Sequence, residues 1–262
     1  AKGRPSDNPL IVHISDKSQV QELVSYISPV ASELMDKLWP GPLTLIMPRS
    51  KLVPDAVTAG LDTVAVRMPS HPVAAALIRE AAIPVAAPSA NISGRPSPTN
   101  ALHVIEDLSG RVEIIIDSDS SAIGLESTVL DMSVSPPAIL RPGGVTIEQL
   151  KEILGKVNVD QSCVSICPDG SVPRSPGMKY NHYSPRAEVI IVQGSSDKVA
   201  EKINSMLKEY ALKGLNAGVL ATDQTVGMYK SPHLLSAGDR NAPDTIAAKL
   251  FWSLRKLDRE GL

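Results

Sequence analysis

The chain has 262 residues, of which 43% are hydrophobic and 21% charged, and its formal net charge is −2. A chain of this length can bury a sizeable core, and the length favours two domains over one. The near-neutral charge argues against a protein whose main ligand is a nucleic-acid backbone, because such proteins usually carry a basic surface.

Short apolar runs alternate with helical patterns through the first part of the chain. The run "NPLIVHI" at 8–14 predicts a strand, and the apolar positions of 17–27 lie on one helical face. Ser18 and Gln21 have the spacing of a capping box for that helix. The same reasoning predicts helices at about 32–39, 72–82, 100–108 and 147–154, and strands at 43–47, 63–68, 84–88, 112–117 and 127–132. This order of elements predicts an α/β domain with a mixed sheet.

A segment rich in serine, proline and glycine, at 156–187, is typical of a connector. After it, strands at 187–194 and 217–222 alternate with helices at 196–212 and 244–258. This pattern predicts a second, smaller, Rossmann-like α/β domain of the doubly wound kind. We therefore predict three parts: a first domain at 1–160, a linker or lid at 161–186, and a C-terminal domain at 187–262.

The two cysteines, Cys163 and Cys167, are spaced C-x3-C with only His182 as a plausible nearby ligand. We therefore expect no metal site, and two cysteines that need not pair fit a reducing compartment. No apolar run approaches the roughly 18 residues of a membrane span, and no signal peptide is visible. We expect a cytoplasmic protein that does not contact membranes.

A pair of cations opens the chain in "KGRPSDNPLIVHI". Lys2 and Arg4 are two residues apart in a segment that Pro5 should hold extended, which would point both side chains the same way. Two cations on one side of a rigid loop suit a polyphosphate, and arginine adds a bidentate donor. The alternative is a solvated basic turn, followed by an ordinary strand-end histidine at His13.

The segment "AAPSANISGRPSPT" at 86–99 places serines and a glycine directly after a predicted strand. Backbone N–H groups and hydroxyls in such a loop can form a concave anion site at a sheet edge. The loop is neither a Walker A motif nor a nucleophile elbow, so Ser89 is a weak candidate nucleophile. The alternative is an ordinary surface loop.

Arginines and hydroxyl residues recur at strand ends. Arg141 ends a predicted strand before a Pro-Gly-Gly turn, Ser127 begins another, and Thr63 and Arg67 flank a third. An arginine at such a position can clamp a phosphate or a carboxylate. We see no closely spaced carboxylate pair and no H-E-x-x-H motif. The pattern favours an anionic substrate that is held electrostatically, as in nucleotidyl or phosphoryl transfer.

Five motifs occur in a fixed order: K-x-R-P-x-x-x-P-L-x-x-H, V-R-M-P, P-S-A-N-x-S-G, S-T-V-x-D and R-P-G. Together they closely resemble the threonylcarbamoyl-AMP synthases of the Sua5/YrdC family. The connector "SPGMKYNHYSP" at 175–185, followed by a small α/β domain, resembles the longer, two-domain Sua5 form. The resemblance covers nearly the whole chain, and the motifs are highly specific as a set. It implies a YrdC-like twisted mixed sheet and a Sua5-type C-terminal domain.

The resemblance implies that L-threonine, bicarbonate and ATP are condensed to threonylcarbamoyl-adenylate, with release of pyrophosphate. A separate tRNA threonylcarbamoyl transferase would receive the product for the t6A37 modification, so weak or transient tRNA contact is compatible with it. Mg²⁺ would accompany ATP. Residue by residue, the resemblance implies that ATP is held by Lys2, Arg4, Asn8, Thr63, Ser89, Ser97, Arg141 and Tyr180. It implies that L-threonine is surrounded by His13, Arg67, Ala87 and Ser127. No residue is singled out as catalytic, although Lys2 and Arg4 are electrostatic candidates.

In Sua5-type proteins the connector folds back over the mouth of the catalytic cavity. His182 and Tyr183 would then form a lid with Tyr180, and exclusion of water would protect a labile carbamate and adenylate. The alternative is that the tyrosines only dock the connector onto a domain surface. Family members also carry a P-T-E-T-x-Y-G-L segment before K-x-R-P, at the threonine site. The sequence begins at Ala1 without it, so we expect a truncated N-terminus.

Two rival interpretations remain. A YrdC-like domain can act as a nucleic-acid-binding module through a concave, cation-lined surface, although the near-neutral charge and the lack of an aromatic stripe count against it. The second rival is a carbamoyl transferase related to the hydrogenase-maturation proteins. Those proteins carry acylphosphatase and zinc-finger segments, which we do not find in this sequence.

Overall fold

The computed structural model describes residues 1–163 and 184–262. These residues form two compact units: a sheet unit of residues 3–89 and 126–163, and a helix unit of residues 1–2, 90–125 and 184–262. The helix unit thus combines an internal stretch of the chain with its C-terminal part. The domain boundaries at 160 and 187 stay a prediction.

Seven strands of the sheet unit form one mixed sheet, in the order β4-β1-β3-β2-β5-β6-β7. Strand β1 runs parallel to β3, and β2 runs antiparallel to β3 but parallel to β5. The strands are β1 (Ile11–His13), β2 (Leu43–Pro48), β3 (Thr63–Arg67), β4 (Val85–Ala87), β5 (Thr128–Asp131), β6 (Ala138–Arg141) and β7 (Asn158–Val159). The predicted α/β class and the mixed sheet are confirmed.

The helices mostly follow the predicted positions. They are α1 (Val20–Leu23), α2 (Pro29–Leu38), α3 (Asp55–Thr58), α4 (Pro72–Ala81), α5 (Ala101–Leu108), α6 (Ile147–Leu154), α7 (Ser196–Leu212) and α8 (Pro243–Arg259). Short 3₁₀ turns lie at Lys17–Gln19, Gln161–Cys163 and Val226–Met228. None of the helices in the described residues is both long and apolar enough to cross a membrane.

Local capping explains where several helices begin. The predicted capping box of α6 is confirmed, because the Thr146 side chain accepts from the Gln149 N–H while the Gln149 side chain accepts from the Thr146 N–H. The predicted box of Ser18 with Gln21 is wrong. Asp16 caps the 3₁₀ turn together with Gln19 instead. The Asp16 carboxylate, two residues earlier, is an equally good N-cap, and it starts the turn there.

The core of the sheet unit lies between the sheet and its helices. Leu34 of α2 and Leu150 of α6 are fully buried, in one cluster with Leu45 and Leu130 of the central strands. Strand β2 is buried at its first five positions. A continuous apolar run of this kind is typical of a strand that is covered on both faces. The core therefore keeps the strand ends, which carry predicted site residues, in fixed positions.

Two predicted strands do not form. Residues 112–117 and 187–194 are neither helix nor strand, and Ile114 and Ile191 are 78% and 80% exposed. Both runs are rich in β-branched residues, but a strand exists only where a neighbouring strand takes up its hydrogen bonds. No strand among residues 1–163 and 184–262 pairs with either run.

The C-terminal part of the helix unit contains a small parallel sheet of two strands, β8 (Val219–Thr222) and β9 (Leu234–Gly238). Ala200 of α7 packs against β8 in a buried cluster with Tyr229. Strand β9, which the sequence analysis did not predict, approaches α8 closely: a Cβ at Gly238 would lie 2.7 Å from Thr245 Oγ1. Parallel strands beside helices agree with a second, smaller α/β structure, although it is built from a different pair of strands.

Candidate functional site

Four of the predicted site residues lie at strand ends on one side of the seven-stranded sheet, which we call the sheet edge. His13 ends β1 and lies opposite Arg67, which ends β3. At the same edge, β5 begins beside the start of β2, with Thr128 opposite Leu43. Ser127 directly precedes β5, and Arg141 ends β6 opposite Val129. We call His13, Arg67, Ser127 and Arg141 the sheet-edge cluster.

Arg141 is bonded directly to Ser127. Its Nη2 donates to the Ser127 backbone oxygen at 3.0 Å and lies 3.1 Å from Ser127 Oγ, and its Nε donates to the same backbone oxygen at 3.2 Å. Ser127 Oγ is also 2.7 Å from Thr44 Oγ1, in a buried contact. These contacts fix the orientation of a hydroxyl and a guanidinium before any ligand arrives.

Steric crowding explains why the third residue of the R-P-G motif is glycine. A Cβ at Gly143 would lie 2.3 Å from the Glu126 backbone oxygen and 2.6 Å from the Thr128 nitrogen. No side chain fits at those distances, so only glycine lets the turn after β6 lie against the start of β5. The motif thereby keeps Arg141 beside Ser127.

The sheet-edge cluster carries positive charge that no carboxylate neutralises within the described part of the chain, since no ion pair there includes Arg67 or Arg141. Arg67 Nε donates to the Gly41 backbone oxygen at 3.0 Å. Burial and the nearby Arg141 lower the pKa of Arg67 to about 10, so it stays charged at neutral pH. Two neighbouring cations favour an anionic ligand.

His13 is neutral at physiological pH, because burial and the charge of Arg67 lower its pKa to about 4. Its Nδ1 atom is buried and has no hydrogen-bond partner among the described residues. Buried polar atoms in native proteins usually have partners. A neutral imidazole nitrogen near the Arg67 guanidinium can hydrogen-bond a polar ligand without adding to the positive charge.

The side chain of Arg4 stabilises the conformation of the K-x-R-P segment through hydrogen bonds to the backbone. Arg4 Nε donates to the Asn8 backbone oxygen at 3.3 Å, and Arg4 Nη2 donates to the Pro9 backbone oxygen at 2.5 Å. The expectation of an extended backbone from Lys2 to Arg4 is wrong, because Gly3 between them has a φ of +69°, in the left-handed region. Asn8 is buried, and its Oδ1 has no hydrogen-bond partner in the described residues.

The Ser/Pro loop belongs to the helix unit from Ala90 onward, and it is partly buried. Asn91 Nδ2 donates to the backbone oxygens of Ile92, at 3.0 Å, and Arg95, at 2.9 Å. Asn91 and Ser97 are both buried. The loop is therefore a built structure, which argues against the alternative of an ordinary surface loop.

This loop contacts a group of charges that the sequence analysis did not predict, of which Asp107 and Arg255 are buried and Arg95 is partly exposed. Asp107 of α5 accepts from Arg95 Nη1 and from Arg255 Nη2 of α8, each at 2.7 Å. Its Oδ2 also accepts from the Ile92 N–H at 3.2 Å. We call Arg95, Asp107 and Arg255 the Asp107 cluster. In the sequence, the apolar pattern of this region predicts two helices. That pattern does not show which charged residues form ion pairs.

Comparison with known proteins identifies the family. The Sua5_yciO_yrdC model, described as telomere recombination, matches residues 1–143. The model described as threonylcarbamoyl-AMP synthase, C-terminal domain, matches residues 145–262. The threonylcarbamoyl-AMP synthase of Bacillus subtilis (strain 168) is 48% identical over 262 residues, which cover 98% of this chain and 73% of the relative.

The chain belongs to the Sua5/YrdC family of threonylcarbamoyl-AMP synthases. The synthase of Pyrococcus abyssi (strain GE5 / Orsay) is 45% identical, over 100% of this chain and 75% of its own length. A crystal structure of P. abyssi Sua5 complexed with L-threonine superposes with a TM-score of 0.92 at 44% identity, covering 98% of this chain and 74% of that one. The resemblance to the two-domain Sua5 form is thereby confirmed.

The structure does not bring all the residues inferred from the Sua5/YrdC resemblance to one edge. Thr63 begins β3, and at about 3.3 Å per residue it lies roughly 13 Å from Arg67 at the other end of the strand. Ala87 ends β4 opposite Ile11, away from His13, and Ser89 follows it as an exposed residue. Lys2 and Ser97 belong to the helix unit. Tyr180, His182 and Tyr183 lie outside the described residues.

Sequence reasoning missed Thr44 in the sheet-edge region. This threonine is fully buried in β2, within an otherwise apolar run, and its hydroxyl meets Ser127 Oγ. A hydroxyl residue inside an apolar strand is the signal that could have identified it, since a buried hydroxyl needs a partner.

Proposed function

We propose that this chain condenses L-threonine, bicarbonate and ATP to threonylcarbamoyl-AMP and releases pyrophosphate. Membership of the Sua5/YrdC family and the name shared by its full-length relatives support the activity. One structural observation carries the proposal furthest. The sheet-edge cluster holds two guanidinium groups without a carboxylate partner in the described residues, beside a neutral histidine and an oriented serine hydroxyl.

The sheet-edge cluster suits an amino acid with a hydroxyl side chain. The carboxylate of L-threonine pairs with Arg67, whose only direct hydrogen bond in the described residues goes to a backbone oxygen. Ser127 Oγ and the unpartnered His13 Nδ1 would hydrogen-bond the polar groups of the amino acid. The P. abyssi relative crystallised with L-threonine supports L-threonine as the amino acid bound.

The amino group of threonine and bicarbonate form a carbamate with loss of water. The carbamate oxygen then attacks the α-phosphorus of ATP, and the bond to pyrophosphate breaks. Residues of this chain contribute by binding, orienting and stabilising negative charge, which is the main requirement of phosphoryl-type transfer. At the sheet edge, Arg141 stabilises the negative charge of the phosphates. On the K-x-R-P segment, ATP is bound by Lys2, Arg4 and Asn8.

Mg²⁺ enters with ATP. The described residues contain no group of three or more histidine, cysteine, aspartate or glutamate side chains that could hold a metal ion. The cationic and hydroxyl donor set therefore fits a Mg²⁺ bound mainly by phosphate oxygens and water rather than by a protein cage. The remaining proposed ATP contacts are with Thr63, Ser89, Ser97 and Tyr180. Ala87 completes the proposed threonine contacts. His182 and Tyr183 act as a lid.

The product is an activated acyl-adenylate, which a separate tRNA threonylcarbamoyl transferase consumes to make t6A37. A net charge of −2 is compatible with no more than weak or transient binding of this chain to tRNA. We place the enzyme in the cytoplasm, where its substrates and tRNA meet.

The test is pyrophosphate release from ATP, measured with L-threonine and bicarbonate added together, singly and not at all. We expect release only when both are present. Release that is independent of threonine would contradict the proposal. Strong, salt-sensitive tRNA binding without ATP would favour the nucleic-acid-binding alternative instead.

A further inference from the structure

The Asp107 cluster buries a full ion pair within the helix unit. The Asp107 side chain is 0% exposed and that of Arg255 is 6% exposed, and their closest atoms are 2.7 Å apart. Removing two charges from water costs several kcal/mol per ion unless good geometry and further hydrogen bonds compensate it. A protein that keeps such a pair must satisfy its remaining donors and acceptors.

Asp107 is satisfied mainly by the loop before α5. It accepts from the Ile92 N–H and from Arg95 Nη1, in addition to Arg255. Burial alone would raise the pKa of Asp107, but the hydrogen bonds from Arg255 and Arg95 outweigh it and hold the pKa below its usual range. The carboxylate is therefore ionised at neutral pH, and it ties both ends of the 92–95 turn to α5.

Arg255 holds the next residue of the same loop. Its Nη2 and Nε donate to the Pro96 backbone oxygen at 2.6 and 3.0 Å. Pro96 directly precedes Ser97, a buried residue that the family resemblance assigns to ATP. One guanidinium thus binds Asp107 and the loop carbonyl together, a fork that lysine cannot reproduce.

The two partners come from different parts of the chain. Asp107 and Ser97 lie in the segment that matches the Sua5_yciO_yrdC model, whereas Arg255 lies in the C-terminal segment. Arg259, one turn further along α8, pairs with Glu106 at 2.8 Å, but both of these side chains are exposed. Helix α8 therefore makes two ion pairs with α5, and only the buried one reaches the loop.

We propose that Arg255 is a positioning residue for ATP binding: from the C-terminal segment, it holds residues 92–96, and with them Ser97, in the conformation that binds the nucleotide. This assigns a role in the reaction to the C-terminal segment. The inference rests on the proposed function, because the role of Ser97 toward ATP comes from the resemblance.

The test compares Arg255→Lys and Arg255→Met with Arg259→Met as the matched control on the same helix. Calorimetric titration with ATP, and separately with L-threonine, is combined with hydrogen exchange over residues 90–99. In Arg255→Met we expect ATP affinity to fall by about 10-fold or more, because nucleotide binding must then order the loop that Arg255 holds in wild type, with threonine affinity changed less than about twofold. The ATP affinity of Arg255→Lys should lie between those of wild type and Arg255→Met, and the amide hydrogens of residues 92–95 and 97 should exchange faster in both variants.

A purely structural role predicts a different result. Melting temperature would fall in both Arg255 variants, but ATP affinity and KM for ATP of the folded protein would stay within about twofold of wild type, and this would overturn the proposal. If Arg255→Met does not fold, Arg255→Lys decides by the same criteria. If wild type binds ATP but releases no pyrophosphate with threonine and bicarbonate, the proposed function fails, while the titrations still decide the role of Arg255.

Discussion

The sheet-edge cluster and the Asp107 cluster both contain two arginines, but they differ in how the charge is compensated. At the sheet edge, Arg67 and Arg141 have backbone and hydroxyl partners, and no carboxylate of the described residues pairs with either. In the helix unit, Asp107 lies between Arg95 and Arg255 and neutralises part of their charge. An uncompensated pair favours an anionic ligand, whereas a compensated buried pair maintains a conformation.

This difference predicts which property each cluster controls. Substitutions in the Asp107 cluster should act first on stability and on the loop that it holds, because they leave a buried charge unpaired. Substitutions at the sheet edge should act first on ligand affinity, because the free protein already tolerates the two cations. Variants of the two clusters, compared for stability and for ligand affinity, test that contrast.

Asp107→Asn should produce the largest loss of stability. It leaves Arg255 buried without its counter-charge, and breaking a buried pair costs about 3–5 kcal/mol. Urea unfolding measures the change. The control is Glu106→Gln, which removes the exposed partner of Arg259 and should cost about 0–1 kcal/mol. Equal losses in the two variants would remove the distinction between the buried and the exposed pair.

Arg141→Ala should weaken ATP binding by about 1.5–3 kcal/mol while the fold survives, because it removes a charge-assisted donor from the sheet edge. Isothermal titration of ATP measures it. Arg49→Ala is the matched control, because Arg49 pairs with the exposed Asp55 away from the sheet-edge cluster. Unchanged nucleotide affinity in Arg141→Ala would exclude Arg141 from the site.

The two buried histidines should make stability depend on pH. The pKa of His13 is about 4 because of burial and Arg67, and the pKa of His103 is about 4 because of burial and then Arg255. Both values lie below the unfolded value of about 6.5, so the unfolded chain binds more protons between the two. The stability of the neutral forms is fully present above about pH 6.5 and is lost as the pH falls toward 4.

Each histidine should contribute about 1–3 kcal/mol to this loss. The two differ in their partners, since His103 Nδ1 accepts from the Thr99 N–H at 3.2 Å, whereas His13 Nδ1 has no partner in the described residues. L-Threonine should therefore change the pH profile through His13 alone. Unfolding of His13→Asn and His103→Asn from pH 4 to 7, with and without threonine, measures this, and an equal effect of threonine on both would contradict it.

Thr44→Val should have the smallest effect. It removes the hydroxyl that meets Ser127 Oγ and should weaken L-threonine binding by about 1 kcal/mol. The control is Thr128→Val, because the Thr128 hydroxyl donates to the Val145 backbone oxygen at 2.6 Å and should affect stability rather than affinity. Titration with L-threonine and thermal unfolding separate the two. A loss of threonine affinity in Thr128→Val alone would reverse the assignment.

Much of the fold was predictable where the signal is local. The capping box of Thr146 and Gln149 lies within four residues, and most helices have the periodicity that their burial requires. The box at Ser18 failed because Asp16 competes for the same turn. Strands were less predictable: the runs at 112–117 and 187–194 have strand composition, whereas β9 was missed, because pairing depends on a neighbour elsewhere in the chain.

The candidate site was predictable in its chemistry but not in its arrangement. The residue types and the motif order determined the family, the expected anionic substrates and the residues His13, Arg67, Ser127 and Arg141. Only the sheet order showed that these four share an edge and that Thr63 does not, because the direction of each strand decides which of its ends lies at that edge. The predicted lid residues remain outside this comparison.

Composition, periodicity and short motifs are enough to predict the α/β class, the family and the cationic character of the site. Which of the charges are compensated depends on how the chain folds. Asp107 and Arg255 are 148 residues apart, and nothing in either local pattern selects the other as a partner. They meet because α5 and α8 pack in one unit, and burial of one charge then requires the other.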